Sequence, residues 1–184
     1  MRQLCVILFS CWLGFAQGVP TEWESKKTIV NLEESMSLVL RSMNALDRES
    51  WKQSPAAQSY LQQFESAKGQ IESLQQGARE LQQRPEELGV ALEIFFRLES
   101  VDFLLQTVRE AAQKFNSSEQ ADQLAQSIAK SEAERDAFRA YLLDLAKDKD
   151  ARYRVLEGEA QRCRENVNTP KPPVRRPLPG TKKP

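Results

Sequence analysis

Apolar residues in this chain recur at alternating intervals of three and four along whole segments, and prolines divide one segment from the next. Ile29, Leu32, Met36, Val39, Met43 and Leu46 mark the first segment. Tyr60, Phe64, Ala67, Ile71, Leu74, Ala78 and Leu81 mark the second. That spacing lays one apolar stripe along an α-helix, whereas a half-buried strand needs strict alternation. No stretch shows such alternation. The expected fold is all-α, an antiparallel four-helix bundle, because the connections are too short for anything but neighbouring helices running in opposite directions.

Proline places the boundaries. The ring is tolerated in a first helical turn and damaging in the interior. Pro20, Pro55 and Pro85 open three segments, and none lies between Pro85 and Pro170. Helices are expected over 21–50, 55–83, 86–115 and 118–165. Ser54 before Pro55 reads as an N-cap, and Glu86 and Glu87 suit a helix N-terminus. Ser117 and Gln120 fit a capping box. The expected core includes Leu32, Met36, Met43, Phe64, Ile71, Leu74, Leu92, Phe95, Leu105, Ile128, Phe138 and Leu142. Phe64-Glu65-Ser66-Ala67 recurs as Ile71-Glu72-Ser73-Leu74, a local heptad with a glutamine-rich face expected to be solvated.

Two segments break the pattern. The third carries Val90, Leu92, Ile94, Phe95, Phe96, Leu98, Val101, Phe103, Leu104 and Leu105. A helix apolar round most of its circumference is expected to be the most buried of the four; otherwise its surplus face meets a second subunit or a lipid. The fourth would reach about 70 Å against about 45 Å for its neighbours, so it is overlong. Its stripe lapses at Lys147-Asp148-Lys149-Asp150 and resumes at Tyr153, Leu156, Ala160 and Cys163. The bundle is expected to end near Ala146, with Trp23 a candidate cover for the resumed stripe.

The ends are of a different character. Arg2, the 12-residue apolar run Leu4–Phe15 and the small residues Ala16 and Gly18 read as an export signal over 1–18. A membrane-spanning helix needs about 20 apolar residues, so this run is read as cleaved and the mature chain as secreted or periplasmic. Leu8-Phe9-Ser10-Cys11 loosely resembles a lipobox, which would lipidate Cys11, but Phe9 fits poorly and the apolar run continues past it. Residues 19–165 then form the bundle domain. Residues 166–184 carry five basic residues, no acid and six of the nine prolines, and are expected to be disordered. The body is acidic by six charges, which argues against nucleic-acid binding. The basic tail suits a solvated linker or a tether to an anionic envelope or lipid surface.

With no histidine, triads and histidine metal sites are excluded. Cys163 is the one cysteine outside the signal, too few for a thiolate metal site or an internal disulfide. No catalytic, metal or cofactor residues are therefore expected. Three features stand out instead. Asp102 and Arg135 intrude on core positions and would meet across a hairpin of the third and fourth helices, as an ion pair that fixes register. Asn116-Ser117-Ser118 is a glycosylation sequon. Cys163 lies between Arg162 and Arg164, a setting in which a thiol is reactive, and could remain free or bridge two chains. The expected function is a non-enzymatic, exported binding or scaffold module, monomeric or homodimeric. Its alternatives are a lipid- or client-binding amphipathic protein, like an exchangeable apolipoprotein or a holdase, and, third, a carboxylate-dependent enzyme.

Overall fold

The computed structural model describes residues 22–53 and 57–168. The expected export signal with Cys11, the expected Ser54-Pro55 cap and the proline-rich run beyond Asn168 lie outside the described residues. Four helices follow one another: α1 (Glu22–Asn44), α2 (Ala57–Gln83), α3 (Leu88–Phe115) and α4 (Ser118–Asn168), with a 3-10 turn at Ser50–Gln53 between the first two. There is no strand among the described residues. The helices divide into two units, one ending at Leu145 and one beginning at Ala146, close to where the apolar stripe of α4 lapses.

In the first unit, cross-helix pairs fix the direction of each neighbour. Glu33 of α1 accepts from Arg79 and Gln82 near the end of α2, while Arg48, after α1, reaches Glu65 near its start. Tyr60 of α2 meets Phe115 at the end of α3. Glu99 of α3 pairs with Arg139 of α4, and the earlier Pro85 accepts from Tyr141. Each consecutive pair of helices is therefore antiparallel. The core follows the predicted stripes: Ile29, Leu32, Met36, Val39 and Met43 of α1 and Phe64, Ile71 and Leu74 of α2 are fully enclosed. Each such side chain stabilises the fold by about 1.5–3 kcal/mol relative to exposure.

Several expectations need correction. The first helix stops at Asn44, not near 50. Asp47 ends it: its carboxylate accepts from the Glu49 amide at 3.1 Å and its carbonyl from the Ser50 hydroxyl at 2.7 Å, a local turn that competes with helix. The released chain turns Trp51 into the core, where its ring packs edge-on to Phe64. The third helix begins at Leu88, with Glu87 as N-cap, because Pro85 is drawn inward by its bond to Tyr141. Leu92, expected in the core, is exposed, and Phe95 and Ile128 are only partly buried. Nor is the glutamine face of α2 wholly solvated: Gln75 is buried and donates to Ser37 at 2.7 Å. The fourth helix runs to Asn168, three residues beyond the expected end.

The third helix is buried along one stripe and not round most of its circumference. Its inward stripe, Ala91, Ile94, Leu98, Val101, Leu105, Val108 and Ala112, already satisfies the three-four alternation and fills the core. The remaining large side chains have no room there. In the second unit, every described side chain from Ala151 to Val167 is exposed.

Candidate functional site

Two features of the α3–α4 hairpin could act on something other than the fold. One is a charged cluster. The α4 stripe reads Ala121, Leu124, Ile128, Ser131, Arg135, Phe138, Leu142 and Leu145, so Arg135 occupies a position that packing alone would give to a leucine. Its side chain is 8% exposed. Arg135 donates through Nη1 to Asp102, whose other oxygen accepts from Arg139 at 3.1 Å. Arg139 also holds Glu99 at 2.9 Å and Asp136 at 2.8 Å.

The two arginines feel opposite influences. Burial, and then the neighbouring Arg139, lower the pKa of Arg135 from its ordinary value. The hydrogen bond to Glu99 raises that of Arg139 against its own partial desolvation. Arg135 stays charged, with its Nε buried and without a hydrogen-bond partner. Beside the pair lies a groove of about 340 Å³ lined by Asp102, Gln106, Arg109, Ile128 and Glu132. The structure thus brings Asp102 and Arg135 together. Sequence reading missed Arg139 and Glu99, although both were signalled: Arg139 lies one turn from Arg135, and Glu99 one turn from Asp102.

The other feature is apolar. Leu92, Phe96 and Phe103 fall within a narrow arc of α3, at i, i+4 and i+11, and are 38%, 64% and 71% exposed. Phe95 supports the stripe from its inner edge, its ring edge-on to Phe96 at 5.6 Å. Leu143 of α4, also exposed, is one turn beyond Arg139, whose bond to Glu99 sets the level of the two helices. The outward arc of α3 therefore carries apolar side chains with Glu99, paired with Arg139, set between Phe96 and Phe103.

The remaining residues of interest are placed as follows. Asn116 is built into the fold rather than offered to solvent. Its Oδ1 accepts from the Trp51 indole at 2.6 Å, and its Nδ2 donates to the Asp47 carbonyl and to Gln120. The nitrogen a glycan would need is thus held between two acceptors. The Ser117 hydroxyl caps the Gln120 amide at 3.3 Å, but the reciprocal half of the capping box is not made. Gln120 instead donates to the Ala45 carbonyl at 2.9 Å, closing the end of α1. Cys163 is free and exposed. Trp23 is exposed with Lys27 over its ring, and Tyr153 and Leu156 of the second unit are exposed as well. Among the described residues no group of acidic or cysteine side chains could hold a metal ion. None of their helices is long and apolar enough to cross a membrane. Compared with known proteins, the chain matches no family model, no curated protein and no solved structure.

Proposed function

We propose that this protein is an exported, non-enzymatic helical-bundle module that binds its partner through the outer face of α3. The observation that carries the reading is the exposed row Leu92, Phe96 and Phe103 on a helix whose inward stripe is already complete. Folding gains nothing from two phenylalanines in water, and large apolar side chains exposed together on one face mark interaction sites. The Glu99–Arg139 pair, set between Phe96 and Phe103, adds a polar group that a partner could pair with.

A second reading is that the occupant is a lipid surface. The five basic residues of the C-terminal segment favour it, since they would be drawn to anionic headgroups. One experiment addresses both. The mature chain with Phe103→Trp is titrated with phosphatidylglycerol vesicles, and a saturable blue shift supports the lipid reading. A protein-binding face predicts no shift with vesicles, together with binding of the apolar fluorophore ANS that falls when Phe96 and Phe103 are both replaced by serine. If ANS and vesicles treat that double variant and the parent chain alike, the α3 face is not a binding surface.

A further inference from the structure

The second unit is set apart by charge as well as by exposure. Residues 146–184 hold eleven basic and five acidic side chains, a formal +6, whereas residues 19–145 hold 14 basic and 21 acidic, a formal −7. In the described part of that unit, Tyr153, Leu156, Ala160, Cys163 and Val167 continue the three-four alternation, and all are exposed. Asp148 and Asp150 are held within the same helix by Arg152 at 2.8 Å and Arg154 at 2.7 Å. With about 3.6 residues per turn, Arg152 and Arg164 stand closer to the centre line of the stripe than Glu157 and Glu159 do, and Lys149 lies on that line. Four residues after Val167 the sequence places Lys171, the first of five basic residues with no acid among them.

We propose that the second unit binds the surface of an anionic lipid bilayer, with the 153–167 stripe entering the headgroup boundary and the basic residues after it meeting the lipid phosphates. Neither feature suffices by itself. Leu156 and Val167 are the only large aliphatic side chains of the stripe, Ala160 and Cys163 are small, and Tyr153 is of the type that settles at headgroup level. Each basic residue near an anionic surface contributes about a fivefold gain in affinity, and salt screens it. Stable attachment takes two such signals, and here they are adjacent in one segment. Lys149, Arg152 and Arg164 can lay their aliphatic stems along the stripe and lift their charges to the phosphates.

Other occupants satisfy one observation and not the other. The basic excess alone would suit any polyanion, but a nucleic acid or a sulfated glycan would take up the charges and leave the stripe in water. A second copy would cover the stripe, yet an antiparallel pairing about Gly158 sets Glu157 and Glu159 against their own counterparts and gives the basic residues after Val167 nothing to meet. A lipid surface uses both. The surface proposed is separate from the outer face of α3 and does not depend on how that face is read.

Vesicle flotation of residues 19–184 tests this, with helicity checked by circular dichroism and binding compared between mixed phosphatidylglycerol–phosphatidylcholine vesicles and phosphatidylcholine alone. The chain should float with the anionic vesicles and not with the neutral ones, and about 0.5 M salt should release most of it. Tyr153→Trp should add a saturable blue shift that the parent chain lacks. Tyr153→Ser with Leu156→Ser should weaken binding at least tenfold, and Arg175→Gln with Arg176→Gln roughly thirtyfold. Phe96→Ser with Phe103→Ser should bind as the parent does, which keeps this outcome apart from that of the α3 reading. Absence of flotation with anionic vesicles, or equal flotation with neutral ones, would overturn the proposal. So would indifference to the paired serine changes at 153 and 156, which means that charge adsorbs the chain without the stripe. Loss of binding in the α3 double variant would move the lipid to α3 and overturn it too. A blue shift of the Tyr153→Trp chain that grows with protein concentration in the absence of vesicles would mean that a second copy covers the stripe instead.

Discussion

Removing the Asp102 carboxylate should cost the fold about 3 kcal/mol, and removing the Arg135 guanidinium as well should return most of that. The Arg135 side chain is 8% exposed, its Nε has no partner, and Asp102 is the acceptor that compensates its burial. Glu132, the other acid nearby, lies 3.9 Å away and is well exposed. Stranding a buried charge costs about 3–5 kcal/mol. The lower end applies here because Asp102 itself is 28% exposed and the adjoining groove admits water. The reverse change should be mild. In Arg135→Met the carboxylate keeps Arg139 at 3.1 Å and the new side chain fills the stripe, so the loss should be at most about 1 kcal/mol. Asp102→Ala combined with Arg135→Met should then also lie near 1 kcal/mol, a coupling of about 3 kcal/mol. Urea melts of the chain followed by circular dichroism give all three values from midpoints at constant slope. Molar salt should leave the coupling largely intact, since partly buried pairs are weakly screened. Single losses that simply add, or an Asp102→Ala loss below about 0.5 kcal/mol, would mean that both groups reach water and the pair contributes nothing to register.

Three further outcomes are expected. Burial, and then Glu86, push the Tyr141 phenol up to about 12, so its contribution is fully present below the unfolded value near 10 and is lost as pH rises through 12. The parent chain should therefore lose up to about 2–3 kcal/mol more than Tyr141→Phe over that window, as read by parallel melts at each pH. Asn116→Ala should cost about 2 kcal/mol in the same melts, because it strands the Trp51 indole and the Asp47 carbonyl together, and Trp51 fluorescence should shift to the red. Gly69→Ala, where an added methyl meets open space, should stabilise by about 0.5–1 kcal/mol, whereas Gly77→Ala should gain less, since its methyl would lie 3.1 Å from Ile94.

What could be read from the sequence was whatever depends on period. The stripes of Ile29 to Met43 and Phe64 to Leu81 needed no coordinates, because burial follows directly from three-four spacing. The end of α1 was not legible on those terms. Leu46 continues the stripe and is buried, yet it lies outside the helix, since the Asp47 turn delivers it and Trp51 to the core by another route. Periodicity reports which side chains go inward, not which backbone carries them. The Asn116 cluster was hidden for a related reason: its partners come from positions 47, 51 and 120, and no local pattern announces bonds across some 70 residues. At the charged cluster, the misfit of Asp102 and Arg135 within apolar stripes was visible, while Arg139 and Glu99 resembled ordinary surface charges until both helices were in place.

The outward placement of Leu92, Phe96 and Phe103 shows that hydrophobicity is not by itself a demand for interior space. A helix in a bundle has a fixed inward arc, and Ala91, Ile94, Leu98, Val101, Leu105, Val108 and Ala112 fill it. Further apolar residues cannot be admitted without rotating the helix, and rotation toward Phe96 and Phe103 would withdraw the inward stripe from the core. It would also carry Asp102 and Glu99 away from Arg135 and Arg139, so the ion pairs and the stripe select the same orientation. The outward phenylalanines are thus a consequence of a register held on two sides. Burying each against a partner would recover about 1.5–3 kcal/mol that folding alone leaves unused. A face of that kind is pre-formed: it can be occupied without opening the bundle, and Trp51, enclosed and bonded to Asn116, should keep its emission when it is. A partner that instead unpacks the helices, as a lipid-driven opening would, must disturb Trp51, so the emission of one buried indole separates docking on the bundle from dismantling it.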